Sequence, residues 1–446
     1  MKRAIVLLDL VGFFMFGAVF VALAGATLLA LSLSGPRRFK GGPISALSFA
    51  ICDLISNKYE SMLEDALTGG YLTKHFYLYV DFSHRKDRFE DIQGALHFYS
   101  IAAHPAHGLY ESGLRRMNSL FVELKVLMKA SSLVLKNDIA FIKAHDPHLL
   151  GLNGIIIAKL FGLPCVLHLN SDFDMKYRGT GRVSSPVFII RRIERSFESW
   201  IIRRYDSVIA DRDLYRRSRS FPRECRGKYR AFGVRVDAPY YAQVNTRRDM
   251  RTAFGLKSTD RILLYVGRLH PVKYPQDAVE CMSYLAERHP NVILALVGEG
   301  IMRSQLERLA RDRGLEKKVL FLGSRGPEEL ADLYYTADLL IAPHGGVTLV
   351  EAALASKPAI AYDFDWHPEF IDHGRNGLLV PFRDTKGLAQ AAASLLSDET
   401  VLRSYGKQAL KKALATCGRP DSLRRERDIY QCLLSAFAEN PVHGRG

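Results

Sequence analysis

RILLYVGRLHPVK (261–273), VILALVGEG (292–300) and DLLIAPHGGVTLVEAALASKPAIAYD (338–363) each begin as a short apolar run that stops at a turn. Read in order to Pro381, they alternate strand, Gly-Arg turn, helix, strand, Gly-x-Gly turn, helix and strand. The last quoted stretch then places Gly345 and Gly346 just before a helix that carries Glu351. Apolar runs of four to eight residues alternating with helical patterns predict buried parallel strands with crossover helices. Ligands of such sheets bind outside the carboxyl ends of the strands. Arg268, Lys273 and the glycine-paved helix start all fall there. Two cations beside a helix N-terminus make a pocket for a diphosphate.

Gly267 and Arg268 follow the first run, and Lys273 comes five residues after Arg268, a G-R-(x4)-K pattern. With Gly298, Gly300, the 345–346 pair and Glu351, this stretch resembles the nucleotide-sugar-binding domain of the retaining GT-B glycosyltransferases of family 4. The likeness is good over 255–400 and loose before that. It implies that Arg268 and Lys273 hold a donor diphosphate and neutralise the leaving group, and that Glu351 grips the donor ribose. His344, Gly345, Gly346 and the amides of Val347 and Thr348 complete the donor side, with the nucleobase near Phe321–Ser324. His168, ending PCVLHLN (164–170), stands where the family often has an active-site histidine.

Two departures stand out. Tyr274 replaces a common glycine, and Pro343 occupies the position of the first glutamate in the family's Glu-x7-Glu spacing. His344 takes over part of that role, the domain handles another sugar, or catalysis is weakened. Trp366, His367 and Glu369 likewise fill a loop that carries glycines in relatives.

Moving outward, the 446 residues exceed one ordinary core, so two domains are expected. The first half alternates in the same manner: HFYLYVDF (75–82), HFYSIAA (97–103), IAFIKAHD (139–146), PCVLHLN and SVIAD (207–211) read as strands. Helices fall at 119–135 and 149–162, and 41–70 reads as an amphipathic connector. The resulting expectation is an α/β GT-B architecture, two Rossmann-like domains facing across a cleft, with an N-terminal transmembrane helix. The units are an anchor (1–40), an acceptor domain (41–238), a donor domain (239–418) and a final helix (419–446) crossing back to the first domain. His145 and Asp146, ending one strand, and Asp172 and Asp174, following another, are candidate acceptor contacts. For His145 and His168 an ordinary role as a satisfied strand-end histidine is equally open.

Val11–Ser34 is an uncharged run of 24 residues, long enough to span a bilayer. Arg37, Arg38 and Lys40 on its far side favour a cytoplasmic remainder, giving a single-pass inner-membrane protein. A cleaved signal peptide competes with this reading at ALAGA, although the apolar run continues past it. The net charge is +15, and 176–235 holds seventeen Arg and Lys against six acids. Arg191, Arg192, Arg195, Arg203 and Arg204 share a helix with Phe197, Trp200, Ile201 and Ile202. That composition suits an anionic membrane surface; it equally suits a solvated face over a core stripe. Six scattered cysteines without metal spacing argue against a disulfide frame or zinc site, and no nucleic-acid motif is present. Asp363 and Asp365 have DxD spacing, yet Arg268 and Lys273 already supply the charge a metal would bring. No cofactor and no metal is expected, and the nucleotide-sugar is a substrate.

The function expected is retaining, metal-independent hexosyl transfer to a lipid-linked or cell-envelope glycan in polysaccharide biosynthesis. The alternatives are a weakly catalytic GT-B scaffold or regulatory subunit, and a nucleotide-sugar epimerase.

Overall fold

A computed structural model of the chain describes residues 44–50, 72–81, 86–102, 115–185, 188, 190–236, 238–242 and 247–439. The apolar run at 11–34 lies outside them. Among the described residues no helix is long and apolar enough to cross a membrane.

The second sheet has six strands, all parallel: β9 (Arg261–Val266), β10 (Val292–Val297), β11 (Val319–Gly323), β12 (Leu339–Ala342), β13 (Ala359–Tyr362) and β14 (Gly377–Val380). Their spatial order is β11-β10-β9-β12-β13-β14. Both faces are covered. Leu263, Leu294, Ile341 and Ile360 pack into one core, and Ile262, Leu264, Ala295 and Leu340 into the other. The side-chain period of two sends neighbours to opposite cores, so the strands read as unbroken apolar runs. Strand order reverses between β9 and β12, which places a crevice at their carboxyl ends.

The first sheet has eight strands in the order β3-β4-β2-β1-β5-β6-β7-β8. They are β1 (Ile44–Phe49), β2 (Leu72–Asp81), β3 (Arg88–Ile92), β4 (Leu96–Ala102), β5 (Ile139–Ala144), β6 (Cys165–Leu169), β7 (Ser207–Ala210) and β8 (Tyr229–Ala231). Two features correct the sequence expectation. Residues 44–49, assigned to a connector, form a central strand whose Ala46, Leu47 and Phe49 are wholly buried. Arg88–Ile92 adds an antiparallel edge strand, reached through a turn at Gln93 and Gly94 with φ of 54° and 67°. Positive φ at both central turn residues matches the twist of a tight hairpin.

The last helix, Arg419–Glu439, returns to the first sheet. Tyr430 packs with Ala46, Phe141, Val166 and Phe232. Lys143 Nζ, from β5, donates to Glu426 Oε1 at 2.9 Å and to the Tyr430 hydroxyl at 2.8 Å. Arg235 pairs with Glu426 as well. Burial would raise the Glu426 carboxyl, but Lys143 and Arg235 outweigh it and hold the group well below its usual range. The return helix is therefore tied down by a paired, buried charge.

Candidate functional site

The β9 turn is held by the β10 turn. Gly267 N donates to Val297 O at 3.0 Å, and Leu269 N to Glu299 O at 2.9 Å. A Cβ at Gly298 (φ +132°) would lie 2.1 Å from Gly267 O, and one at Gly300 would lie 2.4 Å from Leu269 O. Only glycine allows this approach. The Gly-x-Gly pair thus fixes the backbone from which Arg268 projects. Arg268 is exposed, and its guanidinium makes no ion pair among the described residues.

Lys273 sits deeper, with Nζ donating to His344 O at 3.3 Å across the β9–β12 crevice. Burial first, then the nearby Arg212, pulls its pKa from 10.5 to about 8, against the opposing pull of Asp365. The position after it explains the family's glycine: Tyr274 caps a short helical turn with φ +52°. Its ring offsets that strained backbone by packing edge-on to Phe382, with Arg383 5.0 Å above it.

Gly345 and Gly346 follow β12. Gly345 O accepts from Trp366 Nε1 at 2.9 Å. A Cβ on Gly345 would lie 2.7 Å from Leu349 Cγ, whereas one on Gly346 would first meet Lys273 Nζ at 3.9 Å. The first backward hydrogen bonds of helix Thr348–Leu354 come from Leu349, Val350 and Glu351. The amides of Gly346, Val347 and Thr348 precede them, beside the Lys273 ammonium. Buried Thr348 Oγ1 has no hydrogen-bond partner among the described residues. A cation, leading amides and an unspent hydroxyl suit a phosphate.

Glu351 receives the Tyr334 hydroxyl on Oε2 at 2.7 Å and the Tyr241 hydroxyl on Oε1 at 3.1 Å. Burial raises its carboxyl above the usual range, and the two tyrosines oppose the rise. Each oxygen keeps a lone pair for a further donor. His344 faces two acceptors: Nδ1 lies 2.6 Å from Val272 O, and Nε2 lies 2.9 Å from Asp365 Oδ2. Burial would raise Asp365, but His344 and Arg212 prevail and keep it below its ordinary value.

Arg212 comes from the first domain, just after β7, and escaped the sequence reading. Its guanidinium stacks 4.3 Å over the Trp366 ring. Beside it, Asp213 N donates to Glu369 Oε2 at 3.1 Å. Met175, from helix Phe173–Thr180, packs against the second domain's core. These contacts bring the domains together beside the β9–β12 crevice.

The first-domain candidates divide. His145 and His168 end β5 and β6 with ring centroids 5.0 Å apart. Burial, then Lys143, lowers both well below the usual histidine range, so both are neutral. Both nitrogens of His145 and Nδ1 of His168 are buried without a hydrogen-bond partner among the described residues. Among those residues, no hydrogen bond, ion pair or ring contact joins His168 to Lys273, His344 or Asp365. Asp146 Oδ1 accepts from His148 N at 2.8 Å at the start of a helix. Asp172 caps helix Phe173–Thr180 through the amides of Asp174 and Met175. Asp174 departs most from expectation: it is buried, and its Oδ1 is taken by Arg191 and Arg195 at 3.1 and 2.8 Å. It serves as counter-ion to the basic helix rather than as an open acceptor contact.

Among the described residues, His148, Glu194 and Glu198 have ligand atoms close enough together for a metal. The Arg191 guanidinium already lies between the two glutamates, 2.7 Å from Glu194 Oε2 and bonded to Glu198. Asp365 of the DxD pair is engaged by His344, and Asp363 is exposed.

A parallel sheet with paired cations and leading amides at its switch point defines a nucleotide-binding α/β domain facing a second such domain. Residues 246–412, within this second domain, match the family Glycosyl transferases group 1. The chain is 31% identical over 203 residues to a D-inositol 3-phosphate glycosyltransferase of Corynebacterium urealyticum, covering 43% of this chain and 48% of that one. It is 30% identical over 174 residues to an N-acetyl-alpha-D-glucosaminyl L-malate synthase of Bacillus anthracis, covering 37% and 45%. The chain thus spans less than half the length of these curated relatives. Sucrose-phosphate synthase from Thermosynechococcus elongatus superposes with a TM-score of 0.72 at 20% identity, over 88% of this chain and 100% of that one. HepE from Anabaena, solved with UDP-glucose, gives a TM-score of 0.64 at 18% identity over 88% and 100%. The fold is the two-domain GT-B type.

Proposed function

We propose that this protein is a glycosyltransferase that moves a hexosyl group from a nucleotide-diphosphate donor with retention of configuration. Its acceptor is a lipid-linked or cell-envelope glycan at the cytoplasmic membrane face. The observation that carries the reading is the convergence of exposed Arg268, Lys273 and the Gly346–Thr348 amides on one crevice. Charge develops on the departing diphosphate as the glycosidic bond lengthens. Fixed positive groups already in place stabilise it without reorganising. With Arg268 and Lys273 in that role, no metal is required. Glu351, aligned by Tyr241 and Tyr334, accepts the ribose hydroxyls. In this reading the His344–Asp365 pair stands at the donor-sugar end, where Pro343 brings no carboxylate. Neutral His145 and His168 offer unspent ring nitrogens to an acceptor hydroxyl.

The test is Arg268→Ala. Because Arg268 is exposed and makes no ion pair among the described residues, folding is expected to be unaffected. Turnover is expected to fall roughly 10²–10³-fold, the typical effect of removing one transition-state donor. Unchanged turnover with an intact fold would remove the diphosphate assignment. Pro343 also favours a second reading, a donor-binding scaffold. Binding of UDP-, GDP- or ADP-sugars seen as a rise in melting point, with neither transfer nor hydrolysis, would select it.

A further inference from the structure

Helix Arg191–Arg204 turns both of its carboxylates inward and leaves two large apolar side chains at the surface. Its carboxylates, Glu194 and Glu198, have 0% exposure and lie against Arg191 and His148. Ile193 and Trp200, by contrast, are 56% and 38% exposed. A helix on a globular domain ordinarily buries its large apolar side chains and shows its charges to water. Here Ile201 and Ile202 do enter the core. The outward face then consists of Arg192, Ile193, Ser196, Trp200, Arg203 and Arg204. Every acid the helix carries has been withdrawn from that face. Glu224 of the adjoining turn pairs with Arg203 at 2.8 Å.

The aromatic groups are arranged for an interface. Trp200 stacks on half-buried Phe197 with centroids 5.8 Å apart, and the Arg204 guanidinium covers it at 3.7 Å. Arginine over tryptophan, beside an exposed isoleucine, presents a cation and an apolar body at one depth. That combination fits the headgroup–acyl boundary, where tryptophan partitions and basic side chains meet anionic lipid. An acidic protein partner would account for the arginines and not for the isoleucine.

We infer that this outward face docks in the plane of an anionic bilayer surface, laying the first domain on the membrane. Arg191 and Arg195, at the start of the helix, bind Asp174 of helix Phe173–Thr180, which reaches the donor crevice. Docking therefore holds the cleft beside the lipid headgroups. This deepens the membrane-face reading above, and its test does not depend on turnover.

The chain has two tryptophans, and Trp366 is 2% exposed, so Trp200 is the natural reporter. The full chain is added to nanodiscs of brominated phosphatidylglycerol or brominated phosphatidylcholine. Quenching of Trp200 is expected in the anionic discs and not in the neutral ones, and Trp200→Phe removes the quenched component. Arg192→Gln with Arg204→Gln is expected to weaken docking roughly thirtyfold, from two lost charges near the surface. No quenching beyond the Trp200→Phe level, equal quenching in neutral discs, or indifference to the arginine pair would each overturn the inference. Donor-induced stabilisation, measured on the same variants, is expected to be unchanged. Its loss in all forms, with Trp200 still quenched, would sink the donor assignment and leave the docking face standing.

Discussion

Nucleotide affinity is expected to fall as pH rises through the free-state pKa of Lys273. In the free protein burial, then Arg212, brings that group to about 8. A bound diphosphate adds two negative charges near Nζ and returns the ammonium to its protonated form. The sign follows: the complex holds a proton that the free protein loses above pH 8, so binding takes up a proton and weakens with rising pH. At pH 7 about nine-tenths of the free protein carries the charge, and at pH 9 about one-tenth, so affinity drops about tenfold, or roughly 1.4 kcal/mol. Calorimetric titration with the nucleoside diphosphate that stabilises the protein most, in two buffers of different ionisation enthalpy, measures both quantities. Proton uptake is expected to approach one at pH 9 and to be near zero at pH 7. Lys273→Arg keeps its charge throughout and is expected to bind with a flat profile. A flat wild-type profile, or the same slope in Lys273→Arg, would refute the argument.

Three further outcomes follow from the same geometry. Tyr241→Phe removes one of the two hydroxyls that align Glu351, so donor affinity should weaken about five- to tenfold in a binding assay with little change in melting point. Lys143→Met leaves Glu426 buried with fewer partners and is expected to destabilise the first domain by about 3 kcal/mol. In the double variant with Glu426→Gln, calorimetry should show less than the sum of the single effects. Gly298→Ala drives a Cβ into the Gly267 carbonyl, so it should lower the melting temperature and, by displacing the Arg268 turn, weaken donor binding at least tenfold.

The structure also separates what could be read locally from what could not. The second sheet was legible because its inner parallel strands are buried on both faces, leaving apolar runs such as VILALV that glycines delimit. Arg268, Lys273 and the 345–346 pair were legible for the same reason, since a strand's carboxyl end is visible in the chain. Strand β1 was not, because ISALSF mixes serines with apolar residues and resembles a connector until neighbours on both sides claim it. Strand β3 was hidden differently: RFEDI is almost wholly exposed and charged, as an edge strand can be. Tyr334 and Tyr241 lie 17 and 110 residues before Glu351, and nothing in their surroundings marks them as its partners.

The amino-acid sequence by itself determined two α/β domains and which residues fall at the carboxyl ends of the second sheet's strands, since periodicity and glycine placement are written along the chain. Tertiary structure alone decided how charges were spent. It sent Asp174 inward to meet Arg191 and Arg195, joined Lys143 to a glutamate 283 residues away, and carried Arg212 across to Trp366. The physical reason is that a buried charge is tolerable only beside its counter-ion. Which side chains become counter-ions depends on which elements pack together, and sequence spacing carries no record of that.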